Sequence, residues 1–273
     1  MATVDAEAVL NDKKSFGTKL SDLRKKSKEL KMPWFPITVL IVLVICAVFA
    51  PWVAPHSPED LDVLKGVSKI GPFESSENIL GVDRLGRDML SRLIYGARIS
   101  AFISLVSLAF GAIVGTAIGI ASGYWGGKTD AFIMRCCDAV MGFPTILLAL
   151  IIVAIQGGAG IQNVIIAIMA TVWARFARQI RGEVLTLKER DFVVMAVVAG
   201  VRPHVIMYRH IFPNVINTVL IIVSLLVGQT ILLEASLSFL GVGVPPGTSA
   251  WGIMVSEGRD NFCLLYTSPS PRD

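Results

Sequence analysis

The chain has 273 residues, of which 53% are hydrophobic and 17% charged, with a mean hydropathy of +0.66. Average soluble chains carry about 25% charged residues, so an ordinary soluble domain is excluded. The net charge of +4 is accounted for by two basic segments described below, and nucleic-acid binding need not be invoked.

Residues 1–31 form a basic leader carrying Lys13, Lys14, Lys19, Arg24, Lys25, Lys26, Lys28 and Lys31. Residues 32–55 follow without a charge, long enough for a membrane span of about 20 residues. The charged stretch is too long and the apolar run too extended for a cleaved secretory signal, so residues 32–55 read as a retained anchor. Further apolar runs extend from Ile99 to Ala121, from Ala139 to Ile155 with Pro144 breaking it, and from Gly157 to Ala174. The third of these is the weakest, with Gln162 and Asn163 near its start. A last run goes from Ile211 to Leu233 and past Glu234 to Leu240. The spacing therefore predicts five transmembrane helices.

Lysine and arginine concentrate on the cytoplasmic side of membranes. That places the leader inside, residues 56–98 outside, 123–135 inside, the 156–162 turn outside and 175–210 inside. The last segment carries Arg175, Arg178, Arg181, Lys188, Arg190, Arg202 and Arg209. Both strongly basic segments fall on one side, which one missed span would have prevented.

Within this frame several strings stand out. In LGVDRLGRDMLSRLIYGARIS, from Leu80 to Ser100, Met89, Leu90, Leu93, Ile94 and Ala97 share one face and Asp88, Ser91 and Arg92 the other. This predicts an amphipathic helix in the outer interface. Gly86 offers a turn before it, and Asp83 and Asp88 can pair with Arg84, Arg87 or Arg92, forming an outer elbow. Gly111, Gly115, Gly119 and Gly123 recur every fourth residue, a ridge that permits close helix packing; the partner helix is left open. GYWGGKT, from Gly123 to Thr129, is one residue short of a phosphate-binding loop and follows a membrane helix instead of a strand, so nucleotide binding is set aside. Asp130, Arg135 and Asp138 are spaced for local ion pairs, and Pro144 predicts a kink, either a gate or a static bend.

Ala196 and Gly200 lie four apart on one helical face, where small residues let another protein's backbone approach. Gly200 also suits a helix end, and Pro213 the first turn of the next helix. Glu234 is an acid in an apolar setting and is costly there. With Ser238 and Pro144 it is a candidate for lining a pathway or gate; solvation at a helix end near the outer interface is the alternative. Cys46, Cys136, Cys137 and Cys263 show no metal-ligand spacing and read as small apolar filler.

These strings together resemble the permease subunits of dipeptide-, oligopeptide- and nickel-type ABC importers. The elbow block matches with Val82 in place of the usual Thr, as do GYWGGKTDAFIMRCCD and EASLSFLG with the following GVPP and SAWG. Asp191–Asn214 resembles the cytoplasmic "EAA" coupling loop, with Ala196, Gly200 and Pro213 in register. Val194, Met195, His210 and Phe212 replace the usual Glu, Ala, Ile and Leu. The likeness covers about residues 33–262.

The resemblance implies an all-α integral membrane permease of the six-helix type I class, with the last helix missing here. It implies a second permease subunit, two cytoplasmic ABC ATPases and an extracytoplasmic solute-binding protein, with ATP on the partners and no cofactor, metal or catalytic residue in this chain. Ala196, Gly200, His210 and Pro213 would belong to the coupling loop, and residues 99–262 to the permease core. The chain would sit in the plasma (inner) membrane with its N-terminus cytoplasmic and pass di- and oligopeptides, with nickel chelates or another small solute as the alternative. A secondary transporter would need paired carboxylates or broken helices at mid-membrane, and only Glu234 approaches this. An enzyme is disfavoured because His56, His204 and His210 fall on different sides. Residues 263–273 resemble neither a span nor the family and read as a translated sequencing adapter, excluded from fold reasoning.

Overall fold

The computed structural model describes residues 34–58 and 71–266, the last seven by backbone alone. The leader 1–31 and the expected tail from residue 267 onward lie outside the described residues. The chain divides into two compact units, Met1–Ile45 and Cys46–Asp273. Among the described residues regular structure is helical, and extended backbone pairs only in an isolated antiparallel bridge between Val82 and Asp88.

Helix α1, Trp34–Val48, contains no ionisable side chain apart from Cys46. The short α2, Ala50–Val53, has Pro51 in its first turn, where the missing N–H is no loss. Helix α3, Met89–Trp125, has 37 residues. Asp88 starts it by accepting the Ser91 N–H at 2.8 Å, a side-chain cap on an otherwise orphaned donor. Gly126, at φ +65°, ends it. Helices α4, Gly127–Gly142, and α5, Thr145–Ile155, meet at Pro144 at 95°. The break is a corner rather than the expected kink inside one span, because Phe143 and Pro144 are both extended.

Helix α6, Ile161–Lys188, runs well past the expected end at Ala174. Residues 175–188 of the expected inner loop 175–210 are thus helical. Helix α7, Asp191–Val198, turns at Gly200 into α8, Pro203–Phe239. Pro213 was expected in the first turn of a helix and lies there, at the start of the α-helical stretch Phe212–Phe239; the helical path of α8 begins earlier, at Pro203, and passes through a π-helical turn, Met207–Ile211, just before it. There the Phe212 N–H reaches the Met207 carbonyl. The wider turn moves the preceding carbonyls off the proline ring, which would clash in a regular helix. Helix α9, Trp251–Tyr266, occupies a stretch expected as outer loop.

The most extensive contact joins α3 and α6 along the glycine ridge, which answers the open question of its partner. A Cβ at Gly115 would lie 2.5 Å from the Trp173 carbonyl oxygen and 2.5 Å from the Phe176 Cβ. At Gly119 it would lie 2.7 Å from the Ala177 carbonyl, and at Gly111 and Gly123 2.8 Å from Val172 and Val184. Ile103, Leu108, Ile168, Phe176, Ile180 and Leu237 extend this seam into one apolar core shared with α5 and α8.

Among the described residues two helices, α3 and α8, are long and apolar enough to cross a membrane, and the bent pair α4–α5 makes a third if it counts as one span. Helix α1 is apolar but shorter, and α5 alone, at 11 residues, spans about 16 Å. Polar contacts sort to the two ends of the bundle. Asp130 binds Arg181, Asp138 binds Arg178 and Lys188 donates to the Tyr124 carbonyl at one end. At the other, Gly160 N–H donates to the Gly243 carbonyl at 2.9 Å and the elbow meets α9. Asp130 and Asp138 thus pair across to α6 and not locally within α4, as their spacing had suggested.

Gly115→Ala should separate α3 from α6 and cost about 1–3 kcal/mol, as overpacking does. Gly228→Ala on α8, where an added Cβ meets nothing within 4 Å, should be neutral or stabilising by about 0.5–1 kcal/mol. Thermal midpoints of the two purified variants in detergent check the pair; equal midpoints would contradict the close approach.

Candidate functional site

The elbow residues converge on one carboxylate. Gly86, at φ +75°, reverses the chain so that Asp83 Oδ1 accepts the N–H groups of Leu85 and Arg87 at 2.8 and 2.9 Å. Asp83 Oδ2 accepts Arg87 Nε and Arg92 Nη1, each at 2.6 Å. Glu257 of α9 closes the network, receiving Arg92 at 2.7 Å and Arg87 at 3.2 Å. Two arginines thus face two carboxylates, and the charges balance. Arg92 is 1% exposed and Asp83 9%, while Glu257 keeps 37%. Asp88 was a candidate for pairing with an arginine; it caps α3 instead and lies 4.0 Å from the His56 ring. Trp251 Nε1 donates to the Leu93 carbonyl at 3.0 Å, and its ring fills the space a Cβ on Gly96 would take. Glu257 and Trp251 were missed in the sequence because their partners are about 160 residues away.

Just inside this knot, Glu234 is fully buried, so solvation at a helix end is ruled out for it. Its Oε2 accepts the Ser100 hydroxyl of α3 at 2.8 Å, and its Oε1 accepts the Ser238 hydroxyl at 2.9 Å. Ser238 in turn receives the Val244 N–H at 3.2 Å. Gly243 and Gly252 let the outer loop and α9 close over this cluster. A Cβ at Gly243 would stand 2.2 Å from the Ser238 hydroxyl, and one at Gly252 2.3 Å from the Ala235 carbonyl. The acid therefore ties α3, α8 and the loop after α8 together. Pro144 lies apart from it, at the α4–α5 corner.

At the opposite end, α7 closes with two bonds: Gly200 N–H to the Val197 carbonyl at 3.0 Å, and Val201 N–H to the Ala196 carbonyl at 3.1 Å. This is the Schellman arrangement, with Gly200 in the left-handed conformation at φ +72°. The expected small-residue face of Ala196 and Gly200 does not form. Ala196 is buried in the core, because it lies on the same side of α7 as Val193, and Gly200 lies beyond the helix. What α7 exposes is Met195 at 71% and Val198 at 83%, with Val194 and Val197 beside them. His210 sits half-buried in the π-helical turn, where its carbonyl accepts the Asn214 amide at 2.6 Å.

Residues 115–268 match the family described as "Binding-protein-dependent transport system inner membrane component", and residues 24–68 match the "N-terminal TM domain of oligopeptide transport permease C". The chain belongs to the binding-protein-dependent inner membrane components. The permease is 41% identical over 228 residues to the glutathione transport system permease protein GsiD of Escherichia coli O157:H7, covering 82% of this chain and 73% of that protein. It is 37% identical over 225 residues to GsiD of Pectobacterium atrosepticum, covering 82% and 74%. It is thus a permease subunit of a dipeptide-, oligopeptide- and nickel-type ABC importer, a membrane transport component and not a catalyst. The family match reaches residue 268, past the expected limit at Phe262.

For the permease, Asp83→Asn should leave Arg92 buried beside half of its counter-charge, at a cost of about 3–5 kcal/mol. Glu257→Gln, at a site open to water, should cost at most about 1 kcal/mol. Unfolding midpoints in detergent would separate the two, and a larger loss for Glu257→Gln would reverse the ranking proposed for the network.

Proposed function

We propose that the permease lines, with a second permease subunit, a path for di- and oligopeptides and is driven through α7 by two cytoplasmic ABC ATPases. The observation that carries this reading is the exposed apolar face of α7, held outward by the left-handed turn at Gly200. Met195 and Val198 are large, apolar and unpartnered among the described residues. Arg190, Arg202 and Arg209 flank them in the sequence. A rigid knob of this kind suits a groove on a soluble partner, and ATP bound by that partner supplies the energy. The sites of coupling are then Met195 and Val198, with Gly200 setting their angle and Pro213 and His210 anchoring the turn behind them.

We read the chain as crossing the membrane five times with a cytoplasmic N-terminus, the arrangement that the apolar runs and basic segments of the sequence suggest. The segments around Asp130 and from Arg178 to α7 share one end of the bundle, and the elbow, the Gly160 turn and α9 share the other. On this reading α7 faces the ATPases, and the elbow segment 56–98 faces an extracytoplasmic binding protein. Closure of the ATPases moves α7, and the α3–α6 seam carries that motion as a rigid body between inward- and outward-facing states. Glu234 and Ser238 latch α3 to α8 at the outer gate, and the corner at Pro144 is a hinge. The relatives' names, glutathione transport permeases, support a short peptide as the substrate; nickel chelates are the second reading, resting on the family resemblance.

Gly200→Val places a branched side chain at positive φ, a strain of order 1–2 kcal/mol. Insertion and assembly should persist, while uptake into proteoliposomes by the assembled importer falls at least about tenfold. Met195→Cys and Val198→Cys should cross-link to an ATPase cysteine, and buried Ala196→Cys should not. Wild-type uptake in Gly200→Val, together with no cross-link from either exposed position, would overturn the coupling role. Uptake of a labelled peptide, set against a nickel chelate, decides between the two substrate readings.

A further inference from the structure

Helix α6 carries Arg175, Arg178 and Arg181, each three residues after the last, along one side. Arg178 pairs with Asp138 and Arg181 with Asp130, both on α4. Arg175 is different. Its Nη1 donates to the Gln229 Oε1 at 2.7 Å and its Nη2 to the Thr145 hydroxyl at 3.2 Å. Both acceptors are neutral, and among the described residues no carboxylate pairs with it. Gln229 lies ten residues before the end of α8 at Phe239, about 15 Å inside that end at 1.5 Å per residue. Arg175 is half-buried and Gln229 exposed, so the guanidinium is open to an arriving ligand, and with neutral acceptors only it keeps its full charge for one.

The three groups open into a cavity of about 230 Å³ between α5, α6 and α8, walled also by Val172, Leu232 and Ser236. That volume holds a carboxylate and an adjoining residue, but not a long peptide. Arg175 has five N–H donors in a planar fork suited to a carboxylate, and the two bonds above leave donors over. Gln229 accepts from Arg175 through its carbonyl, which leaves its amide N–H groups to donate. Ile146, Val172 and Leu232 give the opening apolar walls, and Gln229 at its rim is exposed. Glu234 points away from this cavity toward Ser100 on α3, so it does not compete for the guanidinium.

We propose that Arg175, with Gln229 and Thr145, forms a subsite that takes the carboxylate of the transported solute as it passes between α5, α6 and α8. This rests on the peptide reading above. The test uses the assembled importer in proteoliposomes, with its binding protein saturated in turn by a labelled tripeptide and by the same tripeptide amidated at its C-terminus. Wild type should import the free acid about tenfold faster than the amide, the scale of a hydrogen bond to a charged group. Arg175→Gln should lower acid uptake about tenfold and leave amide uptake unchanged, and Arg175→Lys should retain part of the preference. Gln229→Leu should shift the ratio in the same direction. Equal loss of both peptides in Arg175→Gln, or no change in either, overturns the subsite while peptide import stands. Failure of wild type to import either peptide overturns the peptide reading and the subsite together.

Discussion

The close approach of α3 and α6 along Gly111, Gly115, Gly119 and Gly123 is the contact on which the rest of the bundle depends. Inside a bilayer the hydrophobic effect does not bring helices together, so van der Waals contact and backbone proximity must. With added Cβ atoms 2.5–2.8 Å from the facing helix, glycine is the residue that allows this depth of contact. The seam sets the rotation of α6, and therefore which way its three arginines point. It also fixes the rotation of α3, which turns Ser100 toward Glu234 and Arg92 toward Asp83.

Around that seam, many polar groups find partners on other elements, while the Ser104 and Thr116 hydroxyls of α3 have none among the described residues. Asp83, Arg87 and Arg92 form a buried knot at one end, with Glu257 at its wetter edge, and Asp130 and Asp138 meet Arg181 and Arg178 at the other. Breaking any buried member would strand its partner's charge, so these pairs enforce one arrangement of the helices more than they stabilise it over an apolar alternative. The middle of the bundle holds two further polar sites of opposite character. Glu234 is shut in by two serine hydroxyls, and Arg175 stands at the edge of a cavity with neutral neighbours. A closed acid and an open base thus lie on different faces of the same bundle.

The α7 end shows how one residue's conformation decides a surface. Gly200 ends α7 and reverses the chain, so Ala196 turns into the core and Met195 and Val198 remain outside. The spacing of Ala196 and Gly200 suggested a flat small-residue face; the Schellman closure produces an apolar knob instead. The π-helical turn before Pro213 has a similar effect. It lets α8 continue through a proline, so the chain reaches the buried Glu234 on one continuous helical segment from Pro203.

Much of this was legible in the residues themselves. Low charge and long apolar runs placed the chain in a membrane, the basic segments located one end, and the strings around Gly86, Gly200 and Glu234 carried the family resemblance. Those signals are local: they depend on composition, turn chemistry and spacing within one helix. The partners of the glycine ridge, of Asp130 and of Arg175, and Glu257 as the second acid on Arg92, could not be read this way. Each lies on another helix, and its distance along the chain carries no information about its distance in space. Only the packed bundle decided that Ala196 faces inward, that Glu257 closes the elbow and that Arg175 meets no acid, because each outcome depends on the rotation of one helix against another.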